Sequence, residues 1–153
     1  MKTRTIGLSL ALCFAASAVC FASPQMGTWK LNETKSKLSP EAPKNDTVVY
    51  ATAGENVKVT VDGTDKTGKS IHNKWTGKFD GKDYPVTGDP GSDTRSYRTV
   101  DARTLEVTVK KKGEITATGR IVVAADGKSR TVHMSGTNAE GRKFSSLAVY
   151  DKQ

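Results

Sequence analysis

The sequence predicts an all-β fold, an antiparallel up-and-down barrel of about ten strands, with a β-sandwich as the alternative. Three observations carry this expectation. From Gly27 onward, apolar and polar residues alternate with period two in short runs. The runs are punctuated by Gly54-Glu55, Asp80-Gly81, Lys111-Lys112-Gly113 and Asp126-Gly127, the chemistry of tight hairpin turns. Finally, the loop length that each turn favours sets apolar residues on the same side of both flanking strands, leaving one face of the sheet wet.

The chain divides into an export signal, 1–22, and one barrel domain, 23–153. Lys2 and Arg4 precede an uncharged apolar run from Ile6 to Ala16, and Val19-Cys20-Phe21-Ala22 offers small residues three apart ahead of Ser23. The run is shorter than the roughly 20 residues a permanent membrane span needs. The expected location is therefore periplasmic or secreted. Both cysteines, Cys13 and Cys20, fall within the signal, so the mature chain has no disulfide and no thiolate metal site. Packing and sheet closure must stabilise it.

Strands are expected at 27–32, 46–53, 56–62, 69–79, 82–87, 94–100, 103–110, 114–125, 128–136 and 142–151, with residues 33–45, which hold Pro40 and Pro43, as a loop. The Gly54-Glu55 turn pairs Val48, Tyr50 and Thr52 with Val61, Val59 and Val57. Asp80-Gly81 pairs Trp75, Gly77 and Phe79 with Val86, Tyr84 and Lys82. Asp126-Gly127 sets Gly119, Ile121, Val123 and Ala125 against Met134, Val132, Arg130 and Lys128. A three-residue loop, Lys111-Lys112-Gly113, would pair Leu105, Val107 and Val109 with Gly119, Ala117 and Ile115, and Lys110 with Glu114. A closed barrel of this strand number is too wide for its own side chains to fill, so it tends to enclose a cavity.

Charge narrows the partners. The whole chain is formally +8; without Lys2 and Arg4 the 24 basic residues fall to 22 against 16 acidic ones, or +6. The basic residues are spread over nearly every strand, which fits a solvated surface, with a bias toward acidic ligands or weak contact to an anionic membrane face as the sharper reading. Nucleic acid is not expected, because no aromatic-and-basic stripe is present. His72 and His133 lie on separate strands, no nucleophile stands at an elbow, and no acids are paired, so neither catalysis, metal nor cofactor is expected. Asp62-Gly63-Thr64-Asp65 and Asp80-Gly81-Lys82-Asp83 lack the later oxygen ligands of a calcium loop and read as turns.

Candidate ligand contacts are the polar groups that the pattern forces onto the apolar face. If Ala102-Arg103 is a two-residue turn, Val100 opposes Leu105 and Arg98 opposes Val107, aiming a guanidinium inward, where it would want a carboxylate or phosphate. A register shifted by one instead puts Arg98 outside and Tyr97 and Thr99 inside. Tyr50, Trp75, Tyr84 and Tyr150 can each line a cavity with a flat apolar body and a polar tip, or simply pack the core.

Gly27-Thr28-Trp29-Lys30-Leu31 and the ending Val149-Tyr150-Asp151-Lys152 resemble the first and last strands of the calycins, the lipocalins and fatty-acid-binding proteins. Together with Ser36-Lys37-Leu38 and Tyr84-Pro85-Val86-Thr87-Gly88, they are similar to a group of secreted bacterial lipocalin-like proteins. The resemblance implies a monomeric barrel that takes up a small hydrophobic or amphipathic, lipid-like molecule. It also implies an aromatic–arginine contact at the closed end, for which Arg142 is a candidate partner of Trp29. Two departures stand out: no helical lid follows the first strand, and Ala148 stands where fatty-acid-binding proteins place an Arg before the final Tyr. A protein–protein module with a filled lumen, such as an envelope factor or inhibitor, is the alternative function.

Overall fold

In the computed structural model, which describes residues 23–153, ten antiparallel strands run in chain order around a closed barrel, with β1 pairing both β2 and β10. They are β1 (Gly27–Leu31), β2 (Lys44–Ala53), β3 (Asn56–Thr64), β4 (Ser70–Gly77), β5 (Tyr84–Thr87), β6 (Thr94–Asp101), β7 (Thr104–Lys111), β8 (Glu114–Val123), β9 (Ser129–Thr137) and β10 (Lys143–Lys152). Closure leaves no unpaired edge and removes the sandwich alternative. The export segment 1–22 lies outside the described residues.

Where the turn chemistry is simplest, the expected register is the observed one. Val48, Tyr50 and Thr52 face Val61, Val59 and Val57, and Gly54 takes the positive φ, 63°, that a two-residue turn requires. Gly119, Ile121 and Val123 face Met134, Val132 and Arg130.

Two β-bulges correct the others. In the β7–β8 hairpin the turn is the pair Lys112 (φ 50°) and Gly113 (φ 81°), so Lys111 faces Glu114 and Lys110 faces Ile115. A register shift beyond Lys110 leaves Thr116 as the extra residue, and below it Val109, Val107 and Leu105 meet Ala117, Gly119 and Ile121. The bulge turns Ile115 outward, 62% exposed, and the expected Lys110–Glu114 pair gives way to Lys110–Asp83 at 2.6 Å. In the β6–β7 hairpin a shift between Thr99 and Asp101 leaves Val100 as the extra residue; it is exposed, and Arg98 opposes Glu106 while Tyr97 opposes Val107.

The β4–β5 hairpin keeps Trp75 opposite Val86, but residues 78–83 leave the ladder. Gly77 lets the Tyr84 ring lie against the strand, where an added Cβ would come within 2.5 Å of that ring. Phe79 to Gly81 turn instead toward β6, Gly81 N–H donating to Tyr97 O at 2.8 Å and Thr99 N–H to Phe79 O at 3.2 Å.

The inward residues form one buried cluster that includes Val59, Trp75, Val107 and Ile121. Its aromatic residues gather toward the end where the described residues begin. Residues 23–26 fold beneath the barrel there, with Trp29 Nε1–H donating to Gln25 O at 2.8 Å and Gln25 Nε2–H to Arg103 O at 3.0 Å. Above this plug, Trp75 packs edge-on against Tyr97 at 4.8 Å and Tyr84 at 5.6 Å, and stacks with Phe79 at 6.3 Å. A fully buried aromatic of this kind removes about 200 Å² from water, worth about 5 kcal/mol before entropy is charged.

The opposite end is left open. After β1 a short 3₁₀ turn (Glu33–Lys35) leads to a strap running along β10, held by reciprocal Lys37–Leu147 backbone bonds and by Ser39 N–H donating to Ser146 Oγ at 2.9 Å. Glu41 latches the strap to the β9–β10 turn through Arg142 at 2.8 Å and Asn138 at 2.9 Å. The Arg142 guanidinium holds the Glu41 carboxyl below its ordinary range.

Candidate ligand cavity

Because the wide packing of aromatics stops halfway up the barrel, the upper half encloses a cavity of about 380 Å³. Its walls are the inward residues of the central strands, among them Val48, Val61, Val107, Ile121 and Val132. The strap residues Leu38, Ala42 and Pro43, together with Pro90 and Phe144, form the mouth. The volume sits near the low end of the roughly 300–1,000 Å³ usual for small-molecule sites, enough for one short chain or ring system.

The floor is polar in one respect. Arg130 on β9, only 2% exposed, lies with its guanidinium carbon 4.8 Å from the rings of Trp29 and Tyr50 and 5.1 Å from that of Tyr150. These ring faces favour the cation by about 0.5–2 kcal/mol each. Among the described residues its Nε and Nη1 have no hydrogen-bond partner, and it forms no ion pair with a carboxylate. Burial pushes the Tyr50 phenol well above its ordinary value, with the neighbouring Tyr97 adding to the effect and Arg130 opposing it. Burial likewise pushes Tyr150 up to about 12. Both rings are therefore neutral beside the cation at ordinary pH.

A second guanidinium, Arg95 on β6, enters the cavity higher up. Its Nη2–H donates to Asp89 Oδ2 and its Nη1–H to Tyr97 Oη, both at 3.4 Å. Burial pulls this guanidinium down, but Tyr97 and then Asp89 outweigh that and leave it above its ordinary value. Asp89 belongs to the loop between β5 and β6, which it shapes by accepting from Gly91 N–H at 2.8 Å and from Ser92 Oγ at 2.6 Å.

Of the residues singled out from sequence, Tyr50 and Tyr150 line the cavity. Tyr150 Oη also donates to Asn45 O at 3.0 Å. Trp75 and Tyr84 stand behind the cavity in the aromatic layer, Trp75 donating to Arg95 O at 2.8 Å and Tyr84 to Asp80 at 2.9 Å. Arg98 is corrected: the Val100 bulge turns it to the outer face, 61% exposed, in an ion pair with Glu106 that Arg120 shares. Arg142 is also not the partner of Trp29, because it sits at the open end on Glu41. Arg130 takes that place. The hairpin register that set Arg130 opposite Val123 already placed it on the inward face. Arg95 carried no such mark, since the shifted β6 register hid its direction. Among the described residues no group of three His, Cys, Asp or Glu side chains could hold a metal ion.

The site thus defined is a ligand-sized pocket in a closed ten-stranded meander barrel. No family model matches the chain, and no curated protein matches it. Among solved structures, a redesigned beta barrel, mFAP1, bound to DFHBI, is similar over 85% of this chain and 98% of its own, at 16% identity and a TM-score of 0.44.

Proposed function

We propose that this protein is an exported, periplasmic or secreted, carrier that holds a small amphipathic, lipid-like molecule in its barrel without transforming it. The observation that carries the reading is the pairing of an apolar cavity of about 380 Å³ with a buried guanidinium on its floor that has no carboxylate partner. Apolar walls favour a hydrocarbon body at about 25 cal/mol per Å² removed from water. The floor favours an acidic end, because a carboxylate or similar group would meet donors that now have none. The reading agrees with the resemblance to secreted lipocalin-like barrels, with Arg130 in place of the sequence candidate Arg98. The rival, an interaction module, called for a filled interior and gains no support from a hollow one.

The test is native mass spectrometry on full-length chain made in a bacterium and recovered from its periplasm, together with titration of anilinonaphthalene sulfonate. An adduct with the mass of a small organic acid, and dye fluorescence quenched by decanoate, are the expected results. A clean unliganded mass with no dye response overturns the reading.

A further inference from the structure

We propose that Asn73 is a second recognition point in the cavity, and that the molecule held there carries a hydroxyl group along its chain as well as an acidic end. The inference rests on the carrier reading above and narrows it to a class of ligand.

Asn73 lies on β4 at an inward position, opposite Val61 and two residues from Trp75 on the same face. It is 2% exposed, and it lines the same cavity as Arg130. Its Oδ1 has no hydrogen-bond partner. On the β3 side its cross-strand neighbour Val61, and Val48 beyond it, are apolar and offer that oxygen no donor. Three other polar side chains of the lumen are satisfied from within. Ser146 Oγ accepts from the strap, Tyr150 reaches Asn45 O, and Arg95 reaches Asp89 and Tyr97. Among the described residues, Asn73 and Arg130 are the two that line the cavity and hold buried polar atoms without partners.

Their demands are complementary rather than alike. Arg130 presents donors and calls for an acceptor, while Asn73 Oδ1 presents an acceptor and calls for an O–H or N–H. A hydroxyl meets the need whichever way the amide is turned, since it both donates and accepts. A pocket built to bond a hydroxyl discriminates strongly against the analogue that lacks it, because the pocket's own buried group is then left unpaired. A plain hydrocarbon acid would satisfy the floor and leave Asn73 unpaired; a hydroxylated acid would satisfy both.

The experiment displaces anilinonaphthalene sulfonate with decanoate and with each of its monohydroxylated positional isomers, on the wild-type protein, on Asn73→Leu and on Asn73→Ala. In the wild type, one isomer is expected to compete about tenfold better than decanoate, roughly the value of one buried hydrogen bond. In both variants that advantage disappears, while decanoate itself binds at least as well as before. Isomers no better than decanoate on the wild type, as a bound water at Asn73 would produce, overturn the inference, and so does an advantage that survives in both variants. Those outcomes leave the carrier reading intact, because decanoate still competes. Failure of every acid to displace the dye removes the carrier reading, and this inference with it.

Discussion

Arg95 and Arg130 are both guanidiniums drawn into the barrel by inward-facing strand positions, and the fold treats them differently. Arg95 finds an acid, Asp89, and a phenol, Tyr97. Arg130 finds three aromatic faces and no acid. The first arrangement is closed: charge is balanced, and the carboxylate belongs to a loop that the pair pins against the cavity. The second is open, since ring faces stabilise a cation without using its N–H donors. A buried charge is expensive to leave uncompensated, so on the proposed carrier reading the difference separates a structural arginine from one that awaits a ligand.

The largest expected effect that would break this distinction comes from Asp89→Asn. Removing one member of a buried ion pair usually costs 3–5 kcal/mol, but here the contacts are long and Asp89 is partly exposed, so about 2 kcal/mol is expected in urea unfolding. The same variant frees a second guanidinium and should tighten binding of anilinonaphthalene sulfonate. Unchanged stability would show that Arg95 is no better paired than Arg130.

A comparable effect, confined to alkaline pH, concerns the rings around Arg130. The Tyr150 phenol keeps its proton up to about 12 in the folded chain, whereas an unfolded one releases it near 10. Between those values the folded state holds more protons, so stability falls as pH rises, by about 1.4 kcal/mol per pH unit for each such phenol. Below that window the group adds no slope. Tyr150→Phe should flatten the alkaline fall in Tm by one phenol's share, and an unaltered slope would mean that the ring is not buried against the cation as described.

The smallest effect is expected at Arg98. Its ion pair with Glu106 lies on the wet face, where such pairs contribute little. Arg98→Ala should leave dye binding unchanged. A loss of affinity would return the site to the residue the sequence first offered.

That last contrast also shows what was legible. The strand order, the meander and the β2–β3 and β8–β9 registers follow from alternation and turn chemistry; closure into a barrel rather than a sandwich does not, because alternation marks one apolar face without fixing what covers it. The bulges at Thr116 and Val100 do not, because an extra residue in a strand leaves no compositional mark yet flips everything beyond it. Arg98 was misplaced by one such residue and Arg95 concealed by it. Arg130 lay in a correctly registered hairpin, so its inward direction could be read; its lack of a carboxylate depends on which side chains the closed barrel brings together. The cavity was expected from strand number, whereas its restriction to the upper half comes from Trp75, Phe79, Tyr84 and Tyr97 stacking below it.

The most direct test of Arg130 as the anchor is calorimetric titration of decanoate and decanol into the wild-type protein and into Arg130→Met. Charge-assisted hydrogen bonds to a desolvated guanidinium should make decanoate bind about a hundredfold more tightly than decanol to the wild type, and the variant should bind the two alike. Equal affinities for acid and alcohol in the wild type would contradict the account.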